Sequence, residues 1–125
     1  MTAPTRILLL AHGSSDQRWC ETFEALAAPT LASLPEARVA YMELAEPSLE
    51  TEVREAVADG VASVRVVPLF LAAGRHLRKD VPAMLEDYRQ RYGVNITLLP
   101  PIGEDPRLGL ALRDIVQGTL EEANA

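Results

Sequence analysis

The chain holds two histidines, His12 and His76, and each stands where an apolar run ends. His12 closes "RILLLA" and is followed by Gly13, Ser14 and Ser15; His76 follows "VVPLFLAAGR". Imidazole is a neutral nitrogen ligand for Co, Fe, Ni and Zn, and it exchanges protons near neutrality. Two histidines alone make a poor storage site. They suit a transient one, with open positions from which a metal can leave. A third ligand is available in "MELAEPS", where Glu43 and Glu46 follow the second apolar run. A carboxylate there could complete a metal shell or accept protons. Glu46, beside Pro47, is explained equally well as an acid at a helix N-terminus. Glu43, expected still within a strand, is the stronger candidate.

Cations and amides surround these residues. Arg75, Arg78 and Lys79 form a basic cluster in "GRHLRK", suited to carboxylate or phosphate recognition if it is more than a solvated loop. Gly13 and Ser14 open the segment after His12, where amides and hydroxyls hold an anion or cap a helix. Gly74 gives the loop before His76 conformational freedom.

The elements that must position these groups alternate. Strands are predicted at about 6–11, 38–44, 63–71 and 94–99, with Pro68 expected to disturb the third near its carboxyl end. The first helix carries Trp19, Phe23, Leu26, Ala27, Leu31 and Leu34, and Pro29 should kink or shorten it. Pro47 and Ser48 open the second, with Leu49, Val53, Ala56 and Val57 on one face and Gly60 after it. Asp80 reads as the N-cap of the third, which carries Met84, Leu85, Tyr88 and Tyr92 and ends at Gly93. Asp105 and Pro106 start the last, with Leu108, Ala111, Leu112, Ile115, Val116 and Leu120 on its core face. Four strand–helix alternations predict an α/β fold: a three-layer, doubly wound, four-stranded parallel sheet of flavodoxin-like order 2-1-3-4. Ligands bind such sheets outside the carboxyl ends of the strands, at the switch between strands 1 and 3. His12 and His76 follow those two strands, 64 positions apart in sequence.

Bulk properties narrow the field. The 125 residues, 48% of them hydrophobic, suit a single packed domain over 1–125. A net charge of −6, from 12 basic and 18 acidic residues, argues against a nucleic-acid binder. Cys20 is the sole cysteine, which excludes an internal disulfide or a CxxC metal site and reads as a small core residue. The apolar runs are too short for a signal peptide or a membrane helix, so the expectation is a soluble cytoplasmic protein without membrane partners.

"LLLAHGSSD", "YMELAEPSL" and "VPLFLAAGRHLRKDVP", in this order and spacing, resemble the small single-domain class II chelatases of the CbiX and SirB type, the sirohydrochlorin chelatase family. The similarity spans about residues 6–85, and the third motif is its most specific part. The resemblance implies a chelatase-like half-domain that inserts divalent cobalt, iron or nickel into sirohydrochlorin, with the metal as substrate and no tightly bound cofactor. It implies that His12 and His76 bind the incoming metal or take pyrrole protons, and that Glu43 is the acidic residue ending the second strand. Larger members pair two such halves across a cleft, which implies a homodimer here. Arg75, Arg78 and Lys79 would then meet the acetate and propionate arms of the tetrapyrrole.

Two other readings compete. A phosphate-handling hydrolase would also place a histidine after strand 1, but histidine phosphatases need an arginine directly before it, and Ala11 stands there. No Gly-x-Ser-x-Gly elbow exists for a serine hydrolase. A non-catalytic tetrapyrrole or metal carrier would use the same ligands; it differs from a catalyst in binding the pigment without speeding insertion.

Overall fold

The computed structural model describes residues 4–125. Strands β1 (Thr5–Ala11), β2 (Ala37–Tyr41), β3 (Ser63–Pro68) and β4 (Asn95–Leu98) form one all-parallel sheet in the order β2-β1-β3-β4. The alternation is filled by helices α1 (Gln17–Ser33), α2 (Leu49–Ala58), α3 (Val81–Tyr92) and α4 (Pro106–Ala123). The expected α/β class and strand order are both found.

Continuous apolar runs form these strands because both sheet faces are covered near the centre. On one face Leu8, Leu10, Val64, Val66 and Ile96 pack against Leu49 and Val53 of α2 and Leu85 and Tyr88 of α3. On the other, Leu9, Ala11, Val39 and Tyr41 lie under Cys20 and Ala27 of α1. Cys20 is a buried free thiol, as expected of a core residue. Helix α2 starts where Ser48 Oγ accepts the Thr51 amide at 3.1 Å. Helix α3 ends at Gly93, which adopts φ +66° and donates its amide to the Arg89 carbonyl.

Several sequence expectations are corrected. Strand β2 stops at Tyr41 rather than 44, because the chain bends there and Leu44 takes φ +64°. Strand β3 stops at Pro68, which lacks the amide to continue the ladder. Helix α1 runs on through Pro29 to Ser33 without being shortened. Its buried side is Cys20 and Ala27, with Phe23 and Leu31 half-buried; Trp19 and Leu26 are exposed. Helix α4 has the expected amphipathic sequence and its Asp105 cap, yet none of its residues is buried. Periodicity tells which side of a helix needs cover, not what supplies it.

Candidate functional site

The site is the carboxyl edge of the sheet. Ala11, the last residue of β1, is fully buried, and His12 beyond it is exposed. The His12 ring stacks on Phe70, with centroids 4.0 Å apart and planes 15° from parallel. Phe70 is 6% exposed. It is held there because β3 has ended at Pro68 while the Leu69 amide still reaches back to the Leu10 carbonyl at 2.9 Å. Sequence reasoning missed Phe70. The available signal was an apolar run, "PLFL", that outlasts the proline ending its strand.

Glu43 is brought beside His12 by backbone rather than by β2. The Met42 amide donates to the Ala11 carbonyl at 2.9 Å and the Glu43 amide to the His12 carbonyl at 3.1 Å, so the two segments stay paired past their strands. Gly13 adopts φ +87°, and a Cβ added there would lie 1.8 Å from the Glu43 carbonyl oxygen. No other residue fits this crossing without displacing Glu43. The expectation that Glu43 lies within the strand is thus corrected: it follows a bend, and its side chain is exposed. The Glu46 carboxylate accepts the Ser48 amide at 3.0 Å and the Thr51 hydroxyl at 3.1 Å, which commits it to the start of α2.

Ser14 organises the next turn. Its hydroxyl accepts the Asp16 amide at 3.0 Å, and its carbonyl accepts the Cys20 thiol. Asp16, not a serine, caps α1 by accepting the Arg18 amide at 3.0 Å. The Arg18 guanidinium, hydrogen-bonded to Asp16, holds that carboxyl below its ordinary range.

His76 opens one π-helical turn, His76–Asp80, that runs straight into α3 and is anchored by buried Leu77. Its Nδ1 lies 2.6 Å from Asp80 Oδ2. This overturns Asp80 as an N-cap: helical geometry has already begun at Asp80, and its side chain makes no cap bond. Its carboxylate is turned to His76 instead. A carboxylate only accepts, so Nδ1 carries the hydrogen and Nε2 keeps its lone pair for a metal or a proton. Arg75, Arg78 and Lys79 are exposed and form no ion pair among the described residues. A Cβ at Gly74 would meet nothing within 4 Å, and its φ is not left-handed, so backbone freedom does not explain that glycine.

The edge therefore carries two exposed imidazoles, one held by an aromatic face and one by a carboxylate, with Glu43 beside the first. Among the described residues no three His, Cys, Asp or Glu side chains are gathered into a metal-holding cluster. Such an arrangement offers ligands to a metal in passage without enclosing it.

Comparison with known proteins follows the same line. A family model described as CbiX matches residues 6–119. The sirohydrochlorin cobaltochelatase of Sulfurisphaera tokodaii is 30% identical over 117 residues, covering 94% of this chain and 95% of that protein. The sirohydrochlorin ferrochelatase of Bacillus subtilis is 32% identical over 102 residues, covering 79% of this chain but 39% of that protein. Among solved structures, the CbiX protein of Marinobacter aquaeolei VT8 superposes with a TM-score of 0.91 at 64% identity, covering 95% of this chain and 99% of that one. SirB of Bacillus subtilis subspecies spizizenii, solved with cobalt, gives 0.80 at 27% identity, covering 92% of this chain and 50% of that one. In its fold and over nearly its whole length, the chain belongs to the CbiX family.

Proposed function

We propose that this protein inserts a divalent metal into sirohydrochlorin, acting as a metal chelatase (a lyase) in tetrapyrrole biosynthesis. The observation that carries the proposal is the pair of exposed imidazoles at one sheet edge, His12 on Phe70 and His76 on Asp80. The cobalto- and ferrochelatase relatives and the cobalt-bound SirB structure support the same chemistry.

Insertion exchanges two pyrrole protons for one doubly charged ion. The ion must shed water as the ring nitrogens replace it, and the protons need acceptors nearby. His12 and His76 hold the arriving metal, each through a ring nitrogen, and hand it on because neither is part of a closed shell. Glu43 accepts a pyrrole proton. Phe70 keeps the His12 ring in one plane; Asp80 fixes the tautomer and heading of His76. Arg75, Arg78 and Lys79 meet the carboxylate arms at the rim, while Gly13, Ser14 and Gly74 leave the edge low enough for a flat macrocycle. The metal, cobalt, iron or nickel, is substrate rather than resident cofactor.

One sheet edge is a shelf rather than a cleft, and a macrocycle needs a second wall. We infer a homodimer acting in the cytoplasm; no helix among the described residues is long and apolar enough to cross a membrane. The test is time-resolved absorbance of sirohydrochlorin mixed with Co²⁺, Fe²⁺ or Ni²⁺, with and without the protein. Faster insertion in its presence is expected. Binding of the pigment with no acceleration would instead identify a carrier.

A further inference from the structure

Among the described residues, nothing buries any residue of helix α4. Leu108, Leu112, Ile115, Val116 and Leu120 line one side of it, and Arg113, Gln117 and Glu121 the other. Leu112 is 60% exposed, Ile115 69% and Leu120 61%. A lone helix of this length is marginal in water, so this apolar side needs cover.

The same chain carries an unfilled seat. Helix α1 covers only the β1 and β2 side of its sheet face. The Tyr41 hydroxyl donates to Glu24 Oε1 at 3.0 Å and to the Cys20 carbonyl at 3.3 Å, which turns the Glu24 flank of α1 toward β2. The opposite flank, Trp19, Phe23 and Leu26, therefore faces β3 and β4, and Phe23, Val67 and Leu69 all pack against the same core cluster. Trp19 and Leu26 remain 65% and 67% exposed. Beside them the face continues into exposed Arg65 and Thr97, and into a hollow of about 470 Å³ lined in part by Val67, Leu99, Pro101 and Ile102. The groove thus has an apolar floor and flank; Arg65 brings positive charge to its sheet side, and Glu104 and Asp105 lie at its far end. Glu122, two turns after Ile115 on the same side of α4, brings negative charge there.

The connection explains why only the first turn of α4, Pro106 and Arg107, reaches the hollow of its own chain. A 3-10 turn, Ile102–Glu104, is pinned at the carboxyl edge by the Gly103 amide, which donates to the Phe70 carbonyl at 3.0 Å. A Cβ at Gly103 would lie 1.8 Å from the Leu71 carbonyl oxygen, so the turn sits flush on the edge. Pro100, Pro101 and Pro106 stiffen the path into α4. The helix leaves with its heading set by the edge, and none of its own residues is buried.

We propose that α4 is exchanged between two copies of this chain, each copy's α4 lying in the other's groove between α1 and the outer face of β3 and β4. The proposal rests on the two-copy reading above and names its contact. Exchange about a twofold axis is closed: each copy gives one helix and receives one, and no α4 is left to recruit a third. Because α4 departs from the carboxyl edge, the exchange also holds the two catalytic edges near one another.

The test is a photo-cross-link in full-length protein, read without metal or sirohydrochlorin. Isotopically light and heavy protein carrying Ile115→p-benzoylphenylalanine are unfolded together, refolded, irradiated and digested. Mixed-isotope peptides joining α4 to residues 17–33, 63–69 or 95–101 are expected, from a species of twice the 13.6 kDa chain mass. In parallel, Leu112→Asp should raise the dimer dissociation constant by at least roughly tenfold while keeping the wild-type circular dichroism, since Leu112 supports nothing inside one subunit. A dimer giving only same-isotope α4 cross-links overturns the exchange and leaves the homodimer standing. A monomer overturns both, and Leu112→Asp dimerising as tightly as wild type overturns the exchange. None of these outcomes bears on chelation, which the absorbance assay decides separately.

Discussion

The His12 ring lies flat on Phe70, 4.0 Å between centroids, so its heading is set by a side chain from the neighbouring strand's extension. Replacing Phe70 by Leu keeps most of the buried volume and removes the flat face. Aromatic stacking of this kind contributes about 0.5–1.5 kcal/mol beyond burial, which corresponds to roughly a two- to tenfold loss in insertion rate. The fold should survive, at a stability cost of about 1 kcal/mol. Initial insertion rates beside a thermal melt check both; an unchanged rate would mean that the stacking aims nothing.

His12→Ala and His76→Ala remove groups at an exposed rim and should leave the melting temperature nearly as it was. Insertion should fall sharply in each. If the two act as one unit, the double variant should lose little beyond the worse single one. Rates against metal concentration make the comparison, and a wild-type rate for His12→Ala would reduce that histidine to a turn residue.

Asp80→Ala takes away the partner of His76 Nδ1 without touching a metal ligand. Losing such an orienting carboxylate typically costs about 10–100-fold in metal affinity or activity. Asp80→Asn, which can still accept the Nδ1 hydrogen through its amide oxygen, should recover part of that loss. Cobalt titration of both variants tests the ordering, and equal behaviour of the two would count against an orienting role.

Gly13→Ala must either clash with the Glu43 carbonyl oxygen, 1.8 Å from the new Cβ, or shift the bend after β2. The left-handed backbone alone costs a non-glycine residue about 1–3 kcal/mol. Gly74→Ala, with open space around the new methyl, should change stability by less than about 0.5 kcal/mol. Urea denaturation of the pair measures the contrast.

Glu52 supplies the pH dependence. It is 5% exposed, its Oε2 has no hydrogen-bond partner among the described residues, and burial pushes its carboxyl above the ordinary 4.5, aided by Glu55 and opposed by Arg38 and Arg6. The folded chain therefore keeps a proton that the unfolded chain gives up. The resulting stability is fully present below about pH 4.5 and is lost as pH rises through the folded value. Its slope is bounded by about 1.4 kcal/mol per pH unit. Glu52→Gln should flatten that limb of the stability curve and should be at least as stable as wild type near neutrality. Melts across acidic to neutral pH follow it.

Much of this was legible in the sequence, for physical reasons that differ by residue. Alternating apolar runs and helical repeats lead to one sheet order, and the two histidines follow the strands that meet at its centre. Glu46 was legible as a helix-start acid because Pro47 and Ser48 follow it, and its carboxylate does accept from Ser48 and Thr51. Asp80 was misread because Asp-x-Pro looks like a cap, and only the fold reveals that the helix begins earlier with a π turn. Phe70 was hidden inside an apolar run, where nothing local separates a core side chain from a platform. The stripe on α4 was read correctly and its cover was not, since amphipathic pattern carries no address.

Gly13 and Glu43 also divide the labour of heredity at this edge. The crossing fixes where the chain passes after β2 through backbone atoms alone, so the path does not depend on which side chain position 43 carries. The side chain at position 43, carboxylate, amide or imidazole, can therefore be exchanged without rebuilding the scaffold, while the glycine opposite holds the path itself.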